Sequence, residues 1–225
     1  MTGGVLGDLL PLAIGIGISP VPIIACILLL FSERARLNGP AFLVGWVAGI
    51  FLVTTAVMLL SSSTGADESS GPSIRDLILT LLGVGAILLG YRQWKGRPKP
   101  GEEVATPTWM AAIGSFAPGK ALGFGVLLSA ANPKNLALAA AAGLVIDEGA
   151  AAGGSVPAMV ILFTVLASLS IAIPVVYLLV GGEGAKGTLE GWRTWLAANN
   201  AAVIAVLFVV IGAKLLGQGL DGLLA

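Results

Sequence analysis

Six apolar runs, at about Leu9–Phe31, Pro40–Ser61, Asp76–Tyr91, Ala121–Ile146, Val156–Val180 and Asn199–Gly217, constrain this chain more than any other feature. Most approach or exceed the roughly 20 residues that let a helix cross about 30 Å of hydrocarbon, the third being the shortest. The runs lack polar–apolar alternation and are far longer than barrel strands, so they predict helices rather than a β-barrel. Composition agrees: 11% of the 225 residues are charged, where a soluble domain carries about 25%. The expected fold is therefore an all-α polytopic membrane protein with six transmembrane helices. Zero net charge gives no electrostatic case for nucleic acid. With no histidine and one cysteine, Cys26, the chain has no means of building a disulfide framework, a paired-thiol redox centre or a His- or Cys-rich metal site. Neither a metal nor a cofactor is expected, and Cys26 reads as a small core residue. No lysine or arginine precedes the first run, which therefore lacks the basic region of a signal peptide and reads as retained.

Basic residues are distributed unevenly between the loops. Arg34, Arg36, Arg92, Lys95, Arg97, Lys99, Lys120, Lys186 and Arg193 fall in the first, third and fifth loops, against Arg75 alone in the second and fourth. This bias predicts that the basic loops face the cytosol and that both termini lie outside a plasma membrane. Trp94, Trp109, Trp192 and Trp195 sit near span ends on that side, where interfacial anchors belong. The third loop, "RQWKGRPKPGEEVATPTWM", separates three spans from three. The expected organisation is one repeat over residues 1–92, a cytosolic linker over 93–119 and a second repeat over 120–225. The linker reads as a solvated, charge-mixed segment, with polybasic lipid contact as the alternative. Three correspondences relate the halves. "VGAILLG" (Val84–Gly90) matches "IGAKLLG" (Ile211–Gly217), spans 1 and 4 each carry mid-span proline, and spans 2 and 5 start at Pro40 and Pro157. A three-span unit repeated once is inverted, the architecture of many secondary transporters with a midplane site on broken helices.

Two motifs carry the candidate site. In "GISPVPIIA", Pro20 and Pro22 each remove a backbone donor and clash with the carbonyls of Ile16 and Ile18. Gly15 and Gly17 just upstream let a neighbouring helix approach. A kink or discontinuity is expected there, leaving free carbonyls and the Ser19 hydroxyl at mid-depth, with an ordinary proline kink as the alternative. In "AANPKNLAL", Lys134 lies near the middle of its span, where a charge costs about 2.5–3.5 kcal/mol on insertion scales. The nearest carboxylate on the same helix, Asp147, is roughly 20 Å further along its axis. Three fates are open to Lys134: donation to carbonyls freed by the prolines, loss of its proton, or pairing with an anionic group of a substrate. Asn132 and Asn135 flank Pro133 and Lys134 with amide groups suited to backbone or substrate oxygens; helix capping alone is the alternative. Pro174 frees the carbonyl of Ser170 beside Thr164 and Ser168 and reads as a hinge or a plain kink. Lys214, late in its span, can snorkel outward and reads as structural.

"ISPVP", "NPKN" and "GAILLGYRQW" resemble motifs of the LysE superfamily of small exporters, in which a proline-rich motif marks the first span and Asn-Pro-Lys the fourth. The stretch "GISPVPIIACILLLFSERARLNGPAFLVGW" is similar to the Sap/GAP family of actinobacteria, named for sulfolipid- and glycopeptidolipid-addressing proteins. The resemblance covers essentially the whole chain. It implies two inverted three-helix repeats and movement of polar or glycosylated lipids toward the cell envelope, with Pro20, Pro22, Asn132, Pro133 and Lys134 as the matching positions. Amino-acid exporters of the superfamily often show Pro-Gly-Pro where this chain has Pro20-Val21-Pro22, and the bulk of Val21 argues against a free amino-acid pocket. The implied partners are a lipid or lipid-conjugate substrate, a homodimeric copy and lipid-synthesis or export machinery. No ATP-binding motif is present, so energy would come from an ion gradient, a partner or the lipid's own gradient, and Lys134 is the candidate proton-coupling group. Two further functions stand beside this one: a small-solute exporter, and a non-transporting scaffold for a lipid-export complex. Enzyme readings fail. Ser129 is five residues before Lys134, off the shared helix face that a serine–lysine pair needs, and mid-span aspartate pairs and paired cysteines are lacking.

Overall fold

A computed structural model describes residues 3–63, 74–97 and 112–224. Helices make up the fold: α1 (Gly3–Gly17), α2 (Pro20–Leu30), α3 (Ala35–Ser63), α4 (Ile74–Lys95), α5 (Pro118–Ala130), α6 (Pro133–Ala151), α7 (Val156–Gly181) and α8 (Lys186–Leu224), the last two joined by a 3₁₀ turn at Gly182–Ala185. No strand occurs among the described residues. Most of the linker expected at 93–119, and Asp67 and Glu68 in the second loop, lie outside the described residues.

Three helical stretches are long and apolar enough to cross a membrane: Ala35–Ser63, Asp76–Lys95 and Val156–Leu224. The pair Gly4–Gly17 and Pro20–Leu30, bent by 53°, makes a fourth if taken as one span. Six were expected from the apolar runs. Part of the difference is that Val156–Leu224 contains two of them, α7 and α8, in one stretch of 69 residues. Within it Gly182, at φ 56°, turns the chain, and Tyr177 stacks on Trp192 across the turn at 5.7 Å. The rest is α6, which carries Lys134, Asp147 and Glu148 within 19 residues.

Several helix ends move from their expected positions. α3 begins at Ala35, so Pro40 lies inside the helix rather than at its start. Its missing donor would have faced the carbonyl of Arg36, an exposed residue in the first turns of the helix. The fifth loop shrinks to four residues, and Trp192, Arg193 and Trp195 stand on α8. Polar side chains there lie along an exposed helical surface, so polarity did not require a loop. Asp147 likewise belongs to α6 and accepts a hydrogen bond from Ser61 at 2.7 Å.

Packing depends on close backbone approach at glycines, as expected where lipid removes any hydrophobic drive between helices. A Cβ on Gly45 would collide with the Leu122 carbonyl, and one on Gly49 with the Ser129 side chain, so α3 and α5 lie together running in the same direction. α6 continues along α3, where a Cβ on Gly143 would lie 2.8 Å from the Thr54 carbonyl oxygen. The corresponding pairing sets α1 and α2 against α7: Gly17 lies against the Ala167 carbonyl, and the Cys26 thiol faces the Ile171 carbonyl at 3.9 Å. Cys26 is thus the core residue expected. α4 and α8 run antiparallel, with Gly83 against Leu216 and Gly219 against Thr80. Each broken unit thereby rests on the long helix of the opposite half.

Candidate functional site

α1 ends at Gly17 because Pro20 and Pro22, in the first turn of α2, supply no N–H to continue it. The break leaves the carbonyls at the end of α1 without intrahelical donors, and every one of them has an identifiable partner. Ile18 N–H donates to Ile14 at 2.8 Å, Ser19 N–H to Gly17 at 2.9 Å and Ile23 N–H to Ser19 at 3.1 Å. The Ser19 hydroxyl donates to Ile16 at 2.6 Å. The two that remain, Gly15 and Ile18, accept from the ammonium of Lys134, Ile18 at 3.3 Å. Ile16 and Ile18 are the carbonyls that the prolines were expected to free.

Lys134 reaches them from the second break. α5 ends at Ala130 and α6 starts at Pro133, with Asn132 between them as N-cap, its side-chain oxygen accepting from Lys134 N–H at 3.0 Å. Cα–Cβ bonds lean toward a helix N-terminus, so a lysine in the first turn of α6 projects beyond the helix end. There its ammonium also donates to the Ser19 hydroxyl at 2.7 Å, which completes three donors on three acceptors. Lys134 is 9% exposed and Asn135 wholly buried. Asn135 donates to the Leu128 carbonyl at 3.1 Å, closing α5 as Lys134 closes α1, and its side-chain oxygen lies 3.3 Å from the Ser19 hydroxyl oxygen, whose one proton goes to Ile16. A hydrogen bond to a charged group contributes about 1.5–3 kcal/mol, so two of the three suffice against the insertion cost of about 2.5–3.5 kcal/mol. The ammonium also lies at the negative end of the α1 macrodipole, which adds to the attraction. Of the three fates open to Lys134, donation to freed carbonyls is the one this arrangement displays.

Ser19, Pro20, Pro22, Asn132, Pro133, Lys134 and Asn135 therefore converge on one crossing. Gly15 belongs to it too, since its carbonyl faces Lys134 and its missing side chain makes room for Leu138 and Ile211. Gly17 terminates α1 at the bend. Pro174 stands apart, inside an α7 that runs unbroken from Val156 to Gly181. Lys214 ion-pairs with Asp8 at 3.1 Å and donates to the Gly7 carbonyl at 2.9 Å, a structural tie between α8 and α1.

Some polar groups escaped the sequence reading. The Trp46 indole donates to the Ala167 carbonyl at 3.4 Å, linking α3 to α7; nothing in the sequence distinguishes this tryptophan from the interfacial ones except its depth. Thr54 is buried with no hydroxyl partner among the described residues, as are Thr164 and Ser168, which the sequence had already placed beside Pro174. Asp76 is 7% exposed at the start of α4, packed against Gly222. Lys134 is consequently not the only buried titratable group.

The family model described as Sap, sulfolipid-1-addressing protein matches residues 9–221. No curated protein and no solved structure gives a significant match.

Proposed function

The chain belongs to the Sap, sulfolipid-1-addressing protein family, and from that premise we propose that it translocates polar or glycosylated lipids across the plasma membrane as a secondary-type transporter. The observation that carries the proposal is the ammonium of Lys134, held on α6 but bound to the carbonyls of a break in α1. Carbonyls are neutral acceptors. An anionic headgroup oxygen is a stronger one, and in taking Lys134 it releases α1 and α2 from α6. The substrate thus supplies the exchange that loosens the crossing, and its departure restores the lock. Both termini are extracytoplasmic in this proposal, and the six helices form two inverted repeats. Its support is the order broken, long, long, found twice, and the pairing of each broken unit with the long helix of the other half.

The test is movement of a headgroup-labelled anionic lipid between leaflets of vesicles reconstituted with the full chain, with amino-acid counterflow run in parallel. Wild-type protein moves the lipid, and Lys134→Met, matched for yield and elution profile, loses most of the rate. Wild-type protein that moves neither lipid nor amino acid favours the scaffold, counterflow without lipid movement favours the small-solute exporter, and unchanged lipid movement in Lys134→Met removes Lys134 from the mechanism. A rate indifferent to an imposed proton gradient would remove proton coupling from the mechanism.

A further inference from the structure

The turn joining α2 to α3 and the turn joining α7 to α8 enclose a pocket of about 570 Å³ at one end of the bundle. That volume falls within the range of about 300–1,000 Å³ usual for small-molecule sites. Its lining includes Arg34, Arg36 and Lys186 with Glu33 and Glu183, an excess of positive charge. Lys186 is already paired with Glu183 at 2.8 Å. Neither arginine has an ion-pair or side-chain hydrogen-bond partner among the described residues. The first turn is a fixed structure: Ser32 donates to the Leu29 carbonyl at 2.6 Å, and buried Asn38 donates to Ser32 at 3.0 Å and to the Phe116 carbonyl at 2.9 Å.

A second cavity of about 320 Å³ lies between α2, α7 and α8. It is lined by Ile23, Ile173, Pro174, Trp192, Trp195 and Leu196, with Ser170 the one further residue. The two are neighbours along α7. Leu178 lines the charged pocket and Pro174 the apolar one, a single helical turn apart on the same face, or about 6 Å. Trp192 and Trp195, 38% and 59% exposed, are the residue type that an interfacial belt between headgroups and chains uses. A charged basin one helical turn from an apolar groove has the polarity profile of one amphiphile.

We propose that this paired cavity binds one anionic membrane lipid, its headgroup on Arg34 and Arg36 and an acyl chain along Pro174, Trp192 and Trp195. Arginine presents planar paired donors that match phosphate and sulfate oxygens. The site is separate from the Lys134 crossing and would load or hold lipid there. It takes from the proposed function only that the ligand is a lipid.

Binding is read without transport, by quenching of tryptophan fluorescence in the full chain by phosphatidylglycerol with brominated chains, against brominated phosphatidylcholine. Phosphatidylglycerol is expected to quench at a roughly tenfold lower mole fraction. Arg34→Gln/Arg36→Gln brings the two titrations together, and Trp192→Phe/Trp195→Phe removes the anion-selective part of the signal. Lys134→Met keeps the preference, so loss of transport and loss of this site are told apart. Equal quenching by both lipids in the wild type, or a preference that survives the arginine substitutions, overturns the proposal. Abolition of the preference by inorganic phosphate at constant ionic strength also overturns it, in favour of a free-anion site.

Discussion

Lys134 and Ser19 illustrate how one residue can be both a cost and a closure. The ammonium has three protons and finds Gly15, Ile18 and Ser19, while Ser19 passes its own proton to Ile16. Removing Lys134 orphans two carbonyls, and an unsatisfied buried group costs about 1–3 kcal/mol. Lys134→Met is therefore expected to lower stability by about 2–5 kcal/mol, and Ser19→Ala, which orphans one carbonyl and one ammonium proton, by less. Thermal unfolding in detergent checks the order; equal midpoints for all three proteins would refute it. At this scale much was legible beforehand. Prolines delete donors at fixed offsets, so Ile16 and Ile18 could be named from Pro20 and Pro22 alone. The partner of Lys134 could not, because residues more than a hundred positions apart meet only through the fold. The burial of Asp76 was hidden for the same reason: it depends on Gly222 at the far end of the chain.

Between helices the deciding residues are glycines, and their environments are unequal. Gly45 meets the backbone of α5, which has no freedom to yield, whereas Gly85 has nothing within 4 Å. Gly45→Ala should destabilise by about 1–3 kcal/mol through overpacking. Gly85→Ala should be neutral or stabilise by up to about 1 kcal/mol, since alanine is the better helix former. Midpoints that move together in the two variants would contradict the assigned contact between α3 and α5. The breaks at Gly17–Pro20 and Ala130–Pro133 were readable from proline and asparagine chemistry. The ends of α3 and α8 were not, because amphipathic helix continued where charged residues suggested loop. Glycine content likewise announced close packing without saying which helix would be the neighbour.

For the whole molecule, the two turns carrying Arg34 and Lys186 line one pocket, so they share one end of the bundle, as the distribution of basic residues anticipated. Which side of the membrane that end faces can be measured in a Cys26→Ala background. Gly184→Cys should react with an impermeant maleimide only after cells are opened, and Ser63→Cys in intact cells; the reverse pattern would invert the topology. The break in α1 has a last consequence at this scale. With proline at positions 20 and 22, α1 and α2 have no continuous helix to relax into, so the exposed carbonyls must always be covered by something. In the proposed transport cycle, where Lys134 leaves them, the remaining candidates are the cargo and water. A protein built this way is watertight in its middle only while the lysine or a passenger occupies the gap. In that cycle the residue that would recognise cargo would also keep the bilayer insulated between turnovers.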